Sequence, residues 1–302
     1  MPVHIFYHVE GLGIMRILSV LNIKNYSLLK QVSLFATAAV IFAAVFWGTS
    51  FNTQAADGDG VEFVPVQEGY YAVSGTASKD INTSYNLGVA VIGAAYKEAG
   101  GLAYLDVKFM KKSGVYVMVL SHNDVNTLKN LHTTTMNWLA QNAPAIVPSG
   151  TKRSDAILKA ADWVADRMTY DYTAVNNPQL LASYQNAMSC YKDGKGVCTT
   201  YATAFDAMIA YRPINPKTGC VDYACASPVY IDAMLVANAD HAWSALAETD
   251  GWHMYDITFY DNNNLSKCPQ YLDMDNAALN DGFHSNITTM LAGYPGNTYA
   301  SR

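Results

Sequence analysis

Charge is the scarcest property of this chain: only 15% of its 302 residues are Asp, Glu, Lys or Arg, against roughly 25% in an ordinary soluble domain. Because 51% of the residues are apolar, the shortage excludes an intrinsically disordered chain, which combines low hydrophobicity with high charge. Positive charge is scarcer still, with 19 Lys and Arg against 25 Asp and Glu. Setting aside the first 55 residues, which carry Arg16, Lys24, Lys30 and Glu10, leaves 16 basic and 24 acidic residues. A surface of that sign repels phosphate backbones, so nucleic acid is excluded as a partner. Internal repeats are missing, as is low-complexity sequence beyond the amino-terminal segment, which leaves one or two ordinary domains with a proper core. Asp261 and the asparagines at 262–264 match no calcium-loop spacing, and neither a metal nor a cofactor is expected.

One long apolar run stands out at residues 32–51, preceded by Lys24 and Lys30 and followed by small residues near Ala55. It reads as an export signal, with Met15 followed by Arg16 as the better start and the mature chain beginning near Ala56. At this length an uncleaved membrane anchor fits too, and membrane contact is expected through this segment alone. Export changes the reading of the five cysteines, since thiols outside the cytoplasm tend to pair and an odd count leaves one over. Cys190, Cys220, Cys225 and Cys268 are the disulfide candidates, with Cys220 to Cys225 and Cys190 to Cys268 the simplest of three pairings. Five reduced thiols are the alternative.

Three portions follow: 1–55 as signal or anchor, 56–150 as an α+β accessory region, and 151–302 as the core. After a short acidic linker at 55–60, residues 61–74 have strand composition, and 79–86 read as polar loop. The apolar runs at 102–110 and 115–121 flank Lys111, Lys112, Ser113 and Gly114, a hairpin pattern. Asn123 or Asp124 is placed to cap a helix to about Gln141, broken by 144–150. Ser154 is a candidate cap for a second helix, whose Ile157, Leu158, Ala161, Val164, Ala165 and Met168 recur at helical spacing. A third helix starts near Gly196, carries Tyr201, Phe205, Met208 and Ile209 as an apolar stripe, and ends before Pro213. The last third is β-rich, with strand candidates at 228–236, 241–247 and 252–259 and a turn at Asp250 and Gly251.

A nucleophilic cysteine needs a lowered pKa, a nearby base and a group that orients the base. Gly194, Lys195 and Gly196 let the backbone turn into the third helix, which places the Cys198 thiol at the positive end of the helix dipole among free backbone N–H groups. Those N–H groups also suit an oxyanion. His241 opens a strand, and Asp256 lies fifteen residues downstream on the next one. A strict two-residue turn at Asp250 and Gly251 offsets the pair by four residues, roughly 13 Å, so a wider loop or bulge centred near Glu248 and Thr249 is expected. A charge inside an apolar strand needs a partner, and His241 is the obvious one for Asp256. Trp163, Tyr170 and Tyr172 are candidates to line the cleft or donate to the oxyanion, with Gly196 beside them, although core packing competes for each aromatic. Trp243 and Trp252 read as strand packing. His122, His132, His253 and His284 carry no pattern that separates them from ordinary surface or core residues.

The stretches GVCTTYA around Cys198, HAW at His241 and DITFYD at Asp256, with TYDY closing the helix upstream, resemble the transglutaminase-like core of bacterial exported proteins over 154–261. The resemblance implies a papain-like arrangement, a nucleophile helix packed on an antiparallel sheet, and thiol acyl transfer on a protein or peptide substrate, cell-wall peptide included. It leaves hydrolysis and cross-linking both open, with hydrolysis favoured. Two alternatives compete: a catalytically silent surface module that binds peptide or wall polymer, and an NlpC/P60-type wall endopeptidase, whose Asp-Cys pair this chain lacks.

Overall fold

Ser113 and Gly114 both take left-handed backbone angles, φ 53° and 79°, and so make the tight two-residue turn that joins paired strands. They connect the antiparallel strands Lys108–Lys112 and Val115–Ser121. The computed structural model describes residues 7–8, 61–67, 69–100, 105–238, 240–248, 251–262, 266–284 and 289–290. Apart from Tyr7 and His8, the expected export segment lies outside the described residues, as do the whole of the linker at 55–60 and the turn residues Thr249 and Asp250. No helix among the described residues is long and apolar enough to cross a membrane. The chain mixes helix and strand and divides into two compact units, one formed by Met1–Tyr96 with Gly101–Lys129 and the other by Lys97–Gly100 with Asn130–Met290.

The first unit holds strands β1 (Tyr7–His8), β2 (Phe63–Gln67) and β3 (Tyr70–Val73), helix α1 (Ile81–Ala95), then β4 (Lys108–Lys112) and β5 (Val115–Ser121). They form an antiparallel sheet in the order β1-β4-β5-β3-β2, with Ala72, Met110, Val117 and Val119 as its buried cluster. Residues 79–86 are not a loop: Asp80 caps α1, its carboxylate accepting the Thr83 N–H at 2.7 Å. That local bond outweighs the weak propensities of Asn82, Thr83 and Ser84.

Helix α2 (His122–Ile146) contributes residues to both units. Ser121 caps it, accepting the Asp124 N–H, and the helix runs on through Pro144 to Ile146 rather than breaking there. The second unit continues with α3 (Arg153–Arg167), β6 (Thr169–Tyr170), α4 (Tyr172–Val175), α5 (Pro178–Tyr184), β7 (Lys195–Gly196) and α6 (Cys198–Ala210). Then come β8 (Ile214–Asn215), β9 (Cys220–Val221), β10 (Ala233–Ala237), β11 (Ala242–Glu248), β12 (Gly251–Tyr255), α7 (Ile257–Asp261), α8 (Asn276–Leu279) and β13 (Thr289–Met290). Ala156, Ile157, Ala160, Ala161, Val164 and Ala165 form the buried face of α3, while Leu158, expected on that face, is 46% exposed.

Helix α6 is buried on every side from Thr199 to Ala210, as befits a central helix flanked by other elements. It packs against α3 and against the antiparallel sheet β12-β11-β10-β13. Phe205, Met208 and Ile209 are fully enclosed, each contributing about 1.5–3 kcal/mol by burial. The nucleophile candidate at the head of this helix is therefore held on the buried central helix of the unit.

Candidate active site

Three features carry the chain to Cys198. A π-helical turn at Ser189–Asp193 ends on Gly194, φ +63°, where a Cβ would lie 2.7 Å from the Arg167 carbonyl. The Arg167 guanidinium holds this turn by donating to the carbonyls of Cys190, Tyr191 and Lys192. Next, Lys195 and Gly196 pair in parallel with Thr169 and Tyr170, and any side chain at Gly196 would strike Thr200. Thr200 closes the turn, accepting the Val197 N–H at 3.0 Å while its hydroxyl donates to the Tyr184 carbonyl. Cys198 is then the first residue of α6.

His241 is set by a different local device. The Asn238 side-chain oxygen accepts the N–H groups of Asp240 and His241, and the Asn238 backbone N–H donates to the His241 carbonyl. This turn closes the β10–β11 hairpin, in which Ala237 pairs with Ala242. The imidazole lies between two aromatic rings, Phe259 at 4.9 Å and Trp243 at 5.8 Å, both nearly parallel to it.

Asp256 is not inside a strand, as its apolar neighbours suggested. The strand ends at Tyr255, and Asp256 caps α7, Oδ1 accepting the N–H groups of Thr258 and Phe259 at 2.8 and 3.1 Å. Its Oδ2 lies 2.5 Å from Nε2 of His241. With Nε2 so engaged, Nδ1 is the ring atom left for the thiol, and the imidazole stands close enough to Cys198 for each to favour the other's charged form.

The electrostatics follow from these contacts. Burial works against the thiolate, but the hydrogen bond and charge of His241 and the backbone N–H of Ala242 outweigh it, so the Cys198 thiol lies below its ordinary value of 9.0. Burial also works against the imidazolium; the charge and hydrogen bond of Asp256 and the contact with Cys198 override it and push His241 up to about 10. Asp256 is fully buried, yet its two histidine partners hold it far below the usual carboxylate range. Each group thus favours the charged form of its neighbour, which shifts the pair toward thiolate and imidazolium.

The upstream aromatics separate. Tyr170 lies against the cysteine, its hydroxyl near both the thiol and the backbone N–H of Cys198, while burial and the neighbouring sulfur push the phenol up. Tyr172 is instead 64% exposed, its ring 4.8 Å from that of Tyr170. Trp163 is a helix-packing residue rather than a cleft one: it meets Trp138 at 5.3 Å and Tyr191 at 5.8 Å, beneath Arg167.

The four disulfide candidates are also free thiols, like Cys198. Cys190 is fully buried among α3 and α6 side chains, where burial pushes its thiol up, whereas Cys268 faces the Ser266 carbonyl and Cys220 the Thr218 carbonyl. Sequence reasoning passed over His284, which is fully buried with Nε2 2.8 Å from Oδ2 of Asp256. Its one local signal is Asp281, whose Oδ1 accepts the N–H groups of Phe283 and His284 in a tight turn. His241, Asp256 and His284 are the one group among the described residues whose ligand atoms gather within 4.8 Å. Contacts of 2.5 and 2.8 Å are hydrogen bonds; two ligands bonded to one zinc at about 2.0–2.2 Å need more than that between them, so the set as arranged does not fit an ion.

Residues 140–257 match the family model of the transglutaminase-like superfamily, and this stretch of the chain is a transglutaminase-like domain. A solved structure described as a crystal structure of a TGase aligns with 51% of this chain at 16% identity and a TM-score of 0.30. The alignment spans 44% of that protein. No curated protein matches the sequence.

Proposed function

We propose that this chain is an exported thiol enzyme that acts on amide or peptide bonds, with Cys198 as nucleophile, His241 as base and Asp256 as the group that orients it. The observation that carries the reading is the thiol at the first residue of a buried helix, beside an imidazole whose Nε2 is held by a buried carboxylate. Members of the superfamily are usually cysteine-dependent enzymes. The helix-on-sheet packing of α6 supports a papain-like arrangement.

In the proposed cycle the Cys198 thiolate attacks the carbonyl carbon, forming the C–S bond. Tyr170, whose hydroxyl lies beside the thiol, is the proposed donor to the carbonyl oxygen as it gathers negative charge. The C–N bond then breaks, and the amine leaves with the proton from His241. Water attacks the thioester, His241 takes its proton, the acid departs and the thiolate–imidazolium pair is restored. Hydrolysis is the preferred outcome and transamidation the competing one. A protein or peptide, cell-wall peptide included, is the proposed substrate.

The test compares wild type with Cys198→Ala on a peptide library, with and without a primary amine, reading cleavage and amine incorporation together. Cleavage lost with the thiol supports hydrolysis. Incorporation in place of cleavage reassigns the reaction to cross-linking, and no thiol-dependent product points to a silent binding module.

A further inference from the structure

Asp256 accepts four hydrogen bonds, and one of them alone comes from His241. Two backbone N–H groups meet Oδ1, while the Nε2 atoms of His241 and His284 meet Oδ2 at 2.5 and 2.8 Å. An ionised carboxylate only accepts, so each imidazole on Oδ2 brings an N–H. His284 is fixed on its far side as well: Nδ1 lies 3.0 Å from Oδ2 of Asp281, and its backbone N–H donates to Oδ1 of the same residue at 3.1 Å. Its ring stands edge-on to Trp243 and Phe259, both at 5.1 Å, the two rings that sandwich His241.

We infer that His284 is a positioning residue for the thiol chemistry, holding Oδ2 of Asp256 on the line to His241, with Asp281 holding His284 in turn. The inference rests on the roles proposed above for Cys198 and His241. Neither residue lies within the matched stretch 140–257, so this support comes from the chain's own later segment. Backbone donors pin Oδ1 alone. Without the His284 N–H, Oδ2 is free to rotate away, the His241 ring follows it, and the ion pair with Cys198 loosens.

Two amides separate this role from a structural one. The amide of glutamine reaches where Nε2 lies and keeps the Asp256 contact; the shorter amide of asparagine reaches where Nδ1 lies and keeps the Asp281 contact. The experiment measures iodoacetamide alkylation of Cys198 in the full chain from pH 5 to 9, with the adduct located by mass spectrometry. His284→Asn is expected to lose about tenfold in rate at pH 6, the scale on which lost orienting partners act, with its acid limb moved toward that of a free thiol. His284→Gln is expected to regain most of that loss. Asp281→Asn, which keeps an acceptor for His284 and removes its charge, should fall between them. Superimposable profiles for wild type and His284→Asn overturn the inference and leave Cys198 and His241 as read; so does retention by the asparagine variant with loss in the glutamine one. Wild type alkylating no faster than a free peptide thiol overturns the underlying reading instead, and this inference with it.

Discussion

Nε2 of His241 lies 2.5 Å from Oδ2 of Asp256, although both residues stand just outside the paired strands that carry them. The pairing of Ser244 with Tyr255 continues to Trp243 opposite Asp256, two residues or roughly 7 Å short of His241. Half of the expected offset is therefore removed by register and half by the backbone leaving the strand. Asp256 turns out of β12 to cap α7, and the Asn238 turn holds His241 at the mouth of β11. Local capping chemistry, rather than a bulge, brings base and carboxylate together.

The first prediction concerns the thiol. His241 offsets the burial that otherwise raises the Cys198 pKa, so wild type should be alkylated by iodoacetamide at Cys198 well below pH 8. With His241→Ala, only the Ala242 N–H is left to oppose burial, the acid limb moves up toward or above that of free cysteine, and the rate at pH 7 falls by more than about tenfold. Equal profiles for the two proteins would sink the ion-pair assignment.

A second prediction follows from replacing Asp256 by Asn. The amide sets an N–H against the N–H of His241, reverses the imidazole tautomer, and should lower kcat by about 10²–10⁴-fold. Stability has its own signature. His241 is raised from 6.5 to about 10, so its contribution is complete below about pH 6.5 and is lost as pH climbs through 10. Asp256 is depressed below 3.8, so its contribution is present above that value and disappears as pH falls through the folded pKa. Both describe one ion pair. The difference in unfolding free energy between wild type and Asp256→Asn, followed by denaturant titration, should peak between about pH 5 and 7, at about 3 kcal/mol for a buried pair losing one member, and shrink on either side.

The elements most legible in the sequence were those whose signal is periodic or rests on one turn. Ser113 with Gly114 announced the β4–β5 hairpin, and the spacing of Tyr201, Phe205, Met208 and Ile209 announced α6. Cys198, His241 and Asp256 were legible through their flanking motifs, and the structure brings all three together. Helix α1 was hidden because Asn82, Thr83 and Ser84 read as loop until Asp80 is seen to cap them. Asp256 passed for a strand residue because DITFYD alternates like a strand while its aspartate is also a good N-cap. His284 was invisible for a deeper reason: its partner lies 28 residues away in sequence, and no period or turn links the two. Tyr170 and Tyr172 differ by two positions, and sequence does not say which one the β6–β7 pairing turns toward the thiol.

Tyr170 supplies the third prediction. Its hydroxyl contacts both the thiol and the backbone N–H of Cys198, so Tyr170→Phe removes a donor from the place where an oxyanion forms. Loss of one such donor costs about 10²-fold in kcat, with KM little changed. Alkylation by iodoacetamide passes through no oxyanion and should change by less than about threefold. A fall in alkylation as large as the fall in turnover would instead make Tyr170 a support for the thiol.

Asp206 supplies the last prediction, because it lies in the same helix as Cys198 with neither carboxylate oxygen in full hydrogen-bond geometry. Burial pushes its carboxyl well above 3.8, and Ser244 and Lys97 only partly counter that shift. The folded protein therefore holds a proton here that the unfolded chain releases near pH 4. Between those two values the native state binds more protons than the unfolded one, so stability falls as pH rises. Asp206→Asn keeps the shape and removes the titration. Below about pH 4 the two proteins should melt together, and by pH 7 the variant should be more stable by about 1 kcal/mol or more, the scale of an unpartnered buried polar group, or about 2–4 °C in a domain of this size. A difference in Tm that stays constant from pH 4 to 8 would mean that Asp206 is ionised throughout and that its partner in the folded core has been misassigned.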